Sequence, residues 1–235
     1  MNILSVLLGV TWLGSVGANA ADSGPVADTP VLRVAVAKKE VELVNRVQKV
    51  YAQSGDLSAS FSQTFHDKLR GERPTESGLL WAKTDGRVRW SYRAPTRKDF
   101  VYTGRAAYFY EPENAQVTVF ESFEDSPLAN AIRFLWGQGS ILETFNVSAC
   151  DAKCRPSEKT HTSVLLKPKE ALPSVERIQL TVDGDGRVRR SVVFDPIGNR
   201  TEYRFDEVRF GTPVADKKFA FTVPDGVSII RATGE

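Results

Sequence analysis

From residue 57 to residue 210, apolar and polar side chains repeatedly exchange places at every second position, and this period of two constrains the fold more than any other feature. The run "LSASFSQTF" sets Ala59, Phe61, Gln63 and Phe65 on one face, with serine or threonine opposite. Strands are expected at about 58–66, 76–83, 87–94, 98–103, 106–111 and 115–122. Others follow at about 143–149, 161–167, 176–183, 187–195 and 200–210, with a last extended piece at 219–223. Two helical stretches interrupt the series. From Ala37, Val41, Val44, Val47 and Tyr51 recur at helical spacing until Ser54-Gly55, and Leu43 and Val50 widen the stripe. In "SPLANAIRFLWGQG", Ser126 caps, Pro127 opens and Gly137 ends a short helix that is apolar nearly all round. About a dozen strands with two helices make a mainly β chain with helices (α+β), whose sheet must curl. A barrel wider than eight strands is not filled by its own side chains, so a helix plugs the interior or an apolar cavity remains.

The segment "GLLWAKTDGRVRWSY" reads as a hairpin about Asp85-Gly86. A two-residue turn there would place Trp81 opposite Trp90, with Leu79, Trp81, Val88, Trp90 and Tyr92 on one oily face and Thr84, Arg87, Arg89 and Ser91 on the other. An ordinary sandwich core presents a similar aromatic stripe, so the hairpin alone does not choose between core and binding surface. In "IQLTVDGDGRVRRSVVF" a three-residue loop, Gly184-Asp185-Gly186, aligns Ile178, Leu180 and Val182 with Val188, Val192 and Phe194.

With 31 basic and 29 acidic residues dispersed along the strands, the chain has no concentrated positive patch for nucleic acid. Residues 1–20 carry no charged side chain and end in Ala18-Asn19-Ala20, which marks a signal peptide cleaved after Ala20. Residues 21–36 then form a flexible mature N-terminus and 37–235 the folded domain, soluble and exported to the periplasm. In an exported chain Cys150 and Cys154 read as a disulfide closing a tight loop. Zinc is disfavoured because neither His66 nor His161 lies at ligand spacing from them.

No nucleophile elbow, zinc-protease helix, phosphate loop or dinucleotide fingerprint occurs, and the chain is read as non-enzymatic and without a cofactor. His66-Asp67 point to opposite faces of a strand. "DGDGR" lacks the closing acidic residue of a calcium loop, since Phe194 stands there.

"ESGLLWAKTDGRVRWSYRAP", preceded by "SFSQTF", resembles the LolA family of periplasmic outer-membrane lipoprotein carriers. "AAYFYEPENAQVTV", "SPLANAIRFLWGQG", "VVFDPIGNRTEYRF" and "FAFTVPDGV" match in the same order, so the resemblance spans Val41 to Val227. It implies an unclosed antiparallel β-barrel of about 11 strands, with an α-helical lid over an apolar cavity. A monomer of this kind would take acylated lipoproteins from an inner-membrane lipoprotein-releasing ABC transporter and pass them to an outer-membrane receptor. The cavity would be lined by Phe61, Phe65, Trp81, Val88, Trp90 and Tyr92. The lid would use Val44, Val47, Leu128, Ile132, Leu135 and Trp136. Where much of the family has an arginine after the lysine of this hairpin, the chain has Thr84, with Arg87 or Arg89 as substitutes for the lid latch. That departure sustains an alternative, a protein of the same fold that senses or carries another lipid or acts as a regulatory domain.

Overall fold

The computed structural model describes residues 30–123, 139–151, 154, 156 and 158–232. The signal peptide expected at 1–20 and the lid stretch with Leu128, Ile132, Leu135 and Trp136 lie outside them. The first described element is helix α1 (Pro30–Gln53). It starts earlier than its apolar spacing indicates, at a proline, the residue best suited to the first helical position.

The strands are β1 (Leu57–Asp67), β2 (Gly71–Glu72), β3 (Glu76–Ala82), β4 (Val88–Ala94), β5 (Lys98–Tyr102), β6 (Ala107–Glu111) and β7 (Gln116–Phe120). After a single helical turn, Ile141–Thr144, come β8 (Phe145–Ala149), β9 (Thr162–Pro168), β10 (Arg177–Val182), β11 (Val188–Phe194), β12 (Arg200–Phe210) and β13 (Ser228–Ala232). They form one 13-stranded sheet ordered β13-β7-β6-β5-β4-β3-β1-β12-β11-β10-β9-β8, with β2 beside β1. Its two ends, β13 and β8, do not pair, so the barrel is unclosed, as the family resemblance implies.

Two strands are additional to the expected series. Gly71–Glu72 is too short to show a period, and Ser228–Ala232 pairs in parallel with β7 and leaves Ile229 and Ile230 both exposed, so it carries no alternation. Conversely, 219–223 does not join the sheet. After the 3₁₀ turn Asp216–Lys218 the chain lies across the outer face as a strap, burying Phe219 and packing Phe221 against Tyr108 and Tyr110.

The first hairpin departs from its expected register by one residue. Lys83 N–H donates to Arg87 O at 2.9 Å and Gly86 N–H to Lys83 O at 3.0 Å, which makes the loop three residues long, Thr84-Asp85-Gly86. A two-residue type I′ turn needs positive φ at both central positions, and here only Gly86 adopts it, at +93°. A shift of one residue reverses every side chain of β3. Leu80 therefore faces Trp90 and Ala82 faces Val88 on the inner side, while Leu79 and Trp81 turn outward opposite Ser91 and Arg89.

The second hairpin does have the loop Gly184-Asp185-Gly186, with Gly186 at φ +84° and Asp183 N–H bonded to Arg187 O. A bulge between Thr181 and Val182 then shifts the pairing, so Val193, in place of Val192 and Phe194, faces Ile178. Val192 is buried beside Gln179 on the other side, and Phe194 lies under the Arg177 guanidinium. The side chain of that Gln179 donates to Cys154 O, and the Cys150–Cys154 disulfide closes its loop there, next to β10.

Ion pairs brace the sheet and one of its hairpin ends. Hydrogen bonds from the Arg190 guanidinium hold the Glu202 carboxyl below its ordinary range, with Arg204 adding to the effect. Burial pushes Asp183 up, but the N–H of Arg187 and the Arg189 guanidinium outweigh it and hold this carboxyl low as well. Between the folded and unfolded values the unfolded chain binds more protons, so this stability is present above about pH 4 and is lost as pH falls through the lowered values. Urea melts at pH 7 and pH 3 are expected to show that loss, with a smaller difference in Glu202→Gln. An unchanged pH dependence in that variant would exclude this source.

Candidate functional site

The inner face of the curled sheet is built by alternation. In β1, Leu57, Ala59, Phe61, Gln63 and Phe65 are all buried, and β12 adds Tyr203, Phe205 and Val208 beside them. From β4 come Val88, Trp90 and Tyr92. Phe61 lies edge-on to Trp90 at 4.8 Å and to Tyr92 at 5.0 Å, and Trp90 meets Tyr203 at 5.5 Å and Phe205 at 5.9 Å. Edge-on aromatic packing of this kind is directional and keeps a wide apolar surface intact.

Helix α1 lays its stripe over this face. Val44 and Val47 are fully buried, Leu43 and Tyr51 nearly so, and all four join the sheet's inner residues in one apolar cluster. The Tyr51 hydroxyl accepts the N–H of Val188 at 3.1 Å. Gln48 ties the helix to the chain that follows residue 138, donating to Gly139 O at 3.0 Å and accepting from Ile141 N–H at 3.1 Å. Helix and sheet leave between them a partly open cavity of about 20 Å³, room for about one water. Tyr51, Leu57, Ala59, Leu80, Ala82, Val88, Trp90, Val188, Phe205 and Val208 line it, and none is charged.

The few polar groups on this face are matched. Tyr92 donates to Gln63 Oε1 at 2.6 Å, and Lys98, over the Tyr92 ring at 4.5 Å, pairs with Glu76 at 2.6 Å. Burial pushes the Tyr51, Tyr92 and Tyr203 phenols up, so they carry no charge at neutral pH. Such a surface offers dispersion and water exclusion. Among the described residues no three His, Cys, Asp or Glu side chains are grouped as a metal ion would require.

Of the residues expected in the cavity, Phe61, Phe65, Val88, Trp90 and Tyr92 share the inner face. Trp81 does not. The corrected register puts it on the outer face, where the Lys218 ammonium lies 4.2 Å from its ring. The expected latch substitutes are engaged on that side too. Arg87 pairs with Asp85 and Asp216, and Arg89 pairs with Asp99 and donates to Lys218 O. Thr84 is exposed in the hairpin loop. The spacing in "TEYRF" would have added Tyr203 and Phe205 to the inner face, since they alternate as Phe61 and Gln63 do on the neighbouring strand, and Phe205 is the one of the two that lines the cavity. Leu80 and Ala82 needed the loop length, which the residue types alone left undecided.

The family profile described as "Outer membrane lipoprotein carrier protein LolA" matches residues 52–222. An outer-membrane lipoprotein carrier protein of Nitrosomonas europaea is 30% identical over 176 residues, covering 74% of this chain and 82% of its own length. One from Hahella chejuensis is 28% identical over 175 residues, covering 74% and 81%. Among solved structures, an uncharacterized conserved protein from Thermus thermophilus superposes with a TM-score of 0.51 at 12% identity, over 83% of this chain and 99% of that one, which shows a shared fold.

Proposed function

The chain belongs to the LolA family of outer membrane lipoprotein carrier proteins, and from that premise we propose that it shields the acyl chains of lipoproteins on their way from inner to outer membrane. One observation carries the reading: a wide aromatic and aliphatic sheet face, without a charged residue in its cavity, covered by a helix instead of by a second sheet. Each buried methylene is worth about 0.8 kcal/mol, so an acylated protein leaves a bilayer at a useful rate only when another apolar surface receives its chains.

A cavity of about 20 Å³ cannot hold an acyl chain. The covering helix must therefore move, α1 lifting Val44 and Val47 from the sheet; the proposed lid also takes in Leu128, Ile132, Leu135 and Trp136, which lie outside the described residues. On this reading the covered form is the empty carrier, and cargo replaces the helix stripe against Phe61, Trp90 and Phe205. The partners are acylated lipoproteins, an inner-membrane transporter that loads the cavity and an outer-membrane receptor that empties it. The mature protein starts at Ala21 and works in the periplasm. No described helix is long and apolar enough to cross a membrane.

Purification from the native periplasm, followed by mass spectrometry of the intact protein and of what accompanies it, tests the reading. A chain beginning at Ala21 with co-purified triacylated or diacylated lipoproteins is expected. Free lipid of another class in their place would support the lipid-sensing alternative, and an uncleaved N-terminus would remove the periplasmic assignment.

A further inference from the structure

At one end of the sheet two loops lie side by side. The turn after β1, residues 68–70, and the turn between β11 and β12, residues 195–199, are joined by the Lys68 N–H, which donates to Asn199 Oδ1 at 3.0 Å. The Lys68 side chain lies along Gly198, where an added Cβ would come within 2.8 Å of its Cδ. Each loop carries an aliphatic residue held in water: Leu69 is 91% exposed and Ile197 71%. These are the two most exposed large hydrophobic residues among those described.

Lys68, Arg70, Arg73 and Arg200 lie in or next to the two loops, all exposed and none in an ion pair among the described residues. Beyond the hydrogen bonds from the Arg70 and Leu69 N–H groups, the charges of Arg70 and Arg73 help to hold the Asp67 carboxyl low. The neighbouring acids are turned back into their own loops. Asp67 Oδ1 accepts the N–H groups of Leu69 and Arg70 at 2.8 and 2.9 Å, and Glu72 pairs with His66 at 3.2 Å. Asp195 Oδ1 accepts from the N–H groups of Ile197 and Asn199, and its Oδ2 from the Asn199 amide. The backbone of both loops is thereby fixed, which presents the aliphatic tips without an ordering cost on contact.

We propose that this two-loop tip docks the protein on an anionic phospholipid surface, with Leu69 and Ile197 entering the headgroup boundary and the four cations meeting lipid phosphates. Charge complementarity selects this occupant: unpaired cations beside aliphatic tips suit an anionic interface, where each basic residue adds attraction. A protein partner of standard size would need about 800 Å² of matched surface with a contiguous apolar centre, whereas a fluid headgroup layer closes around separate protrusions.

The test is sedimentation of the mature protein with vesicles of phosphatidylglycerol and phosphatidylethanolamine, against vesicles of phosphatidylcholine alone, at low and high salt. Binding to the anionic vesicles that weakens with salt is expected. Lys68→Gln and Arg70→Gln each lower the partition coefficient about fivefold. Leu69→Ser with Ile197→Ser lowers it about tenfold or more without changing the melting temperature, because both side chains are already in water. No binding to anionic vesicles, or binding undiminished in the Leu69→Ser/Ile197→Ser protein, overturns the proposal. Because these vesicles hold no lipoprotein, that failure leaves the carrier reading standing, and a failure to bind acylated cargo leaves this one.

Discussion

Gly78→Ala lowers the melting temperature of the mature protein by about 10 °C, the largest loss of stability expected here from a single added methyl. Gly78 lies at the bulge where β3 pairs with β4, and it sits against the backbone of the neighbouring strand. A Cβ there would come within 2.1 Å of Ser91 O, 2.8 Å of Ser91 C and 2.9 Å of Tyr92 Cα. None of these atoms is the free end of a side chain that could swing away, so β3 and β4 must separate locally. The expected cost is about 3 kcal/mol, the upper part of the range for overpacking. In a domain of this size each kcal/mol is worth roughly 2–4 °C. Separation at this point also tilts the strand that carries Trp90 and Tyr92, so lipopeptide binding is expected to weaken along with stability. An unchanged melting temperature would show that β3 and β4 do not approach as described.

Loop length decides how far the fold is legible in the sequence. The period of two located eleven of the strands and the inner face of β1, since Ala59, Phe61, Gln63 and Phe65 alternate without interruption. Asp85-Gly86 is compatible with a two-residue or a three-residue loop, and the choice rests on a backbone angle at Asp85 that residue types do not encode. The consequence was one residue of register and the reversal of Trp81. The bulge in β10–β11 had the same effect on Val192 and Phe194. The parallel pairing of β13 with β7 was hidden for a different reason: it joins segments distant in sequence, and its exposed isoleucines follow no pattern. What the sequence made plain in the site is the aromatic set on neighbouring strands. What it did not show is how tightly α1 covers it, because a helical stripe marks an apolar face without saying what that face meets.

The central claim is that the inner face receives acyl chains, and the reversal of Trp81 supplies an internal control for it. With Trp81→Phe and Trp136→Phe in the chain that begins at Ala21, Trp90 is the sole tryptophan. It lines the cavity and packs edge-on against Phe61, Tyr203 and Phe205. Titration with a diacyl lipopeptide should shift its emission saturably. Each methylene contributes about 0.8 kcal/mol, so removing one chain is expected to weaken binding more than about a thousandfold. In the complementary protein, Trp90→Phe with Trp136→Phe, the remaining Trp81 lies on the outer face beneath Lys218 and should not respond. A saturable shift confined to the Trp90 protein is the predicted result; no shift in it, or an equal shift from Trp81, would contradict the account.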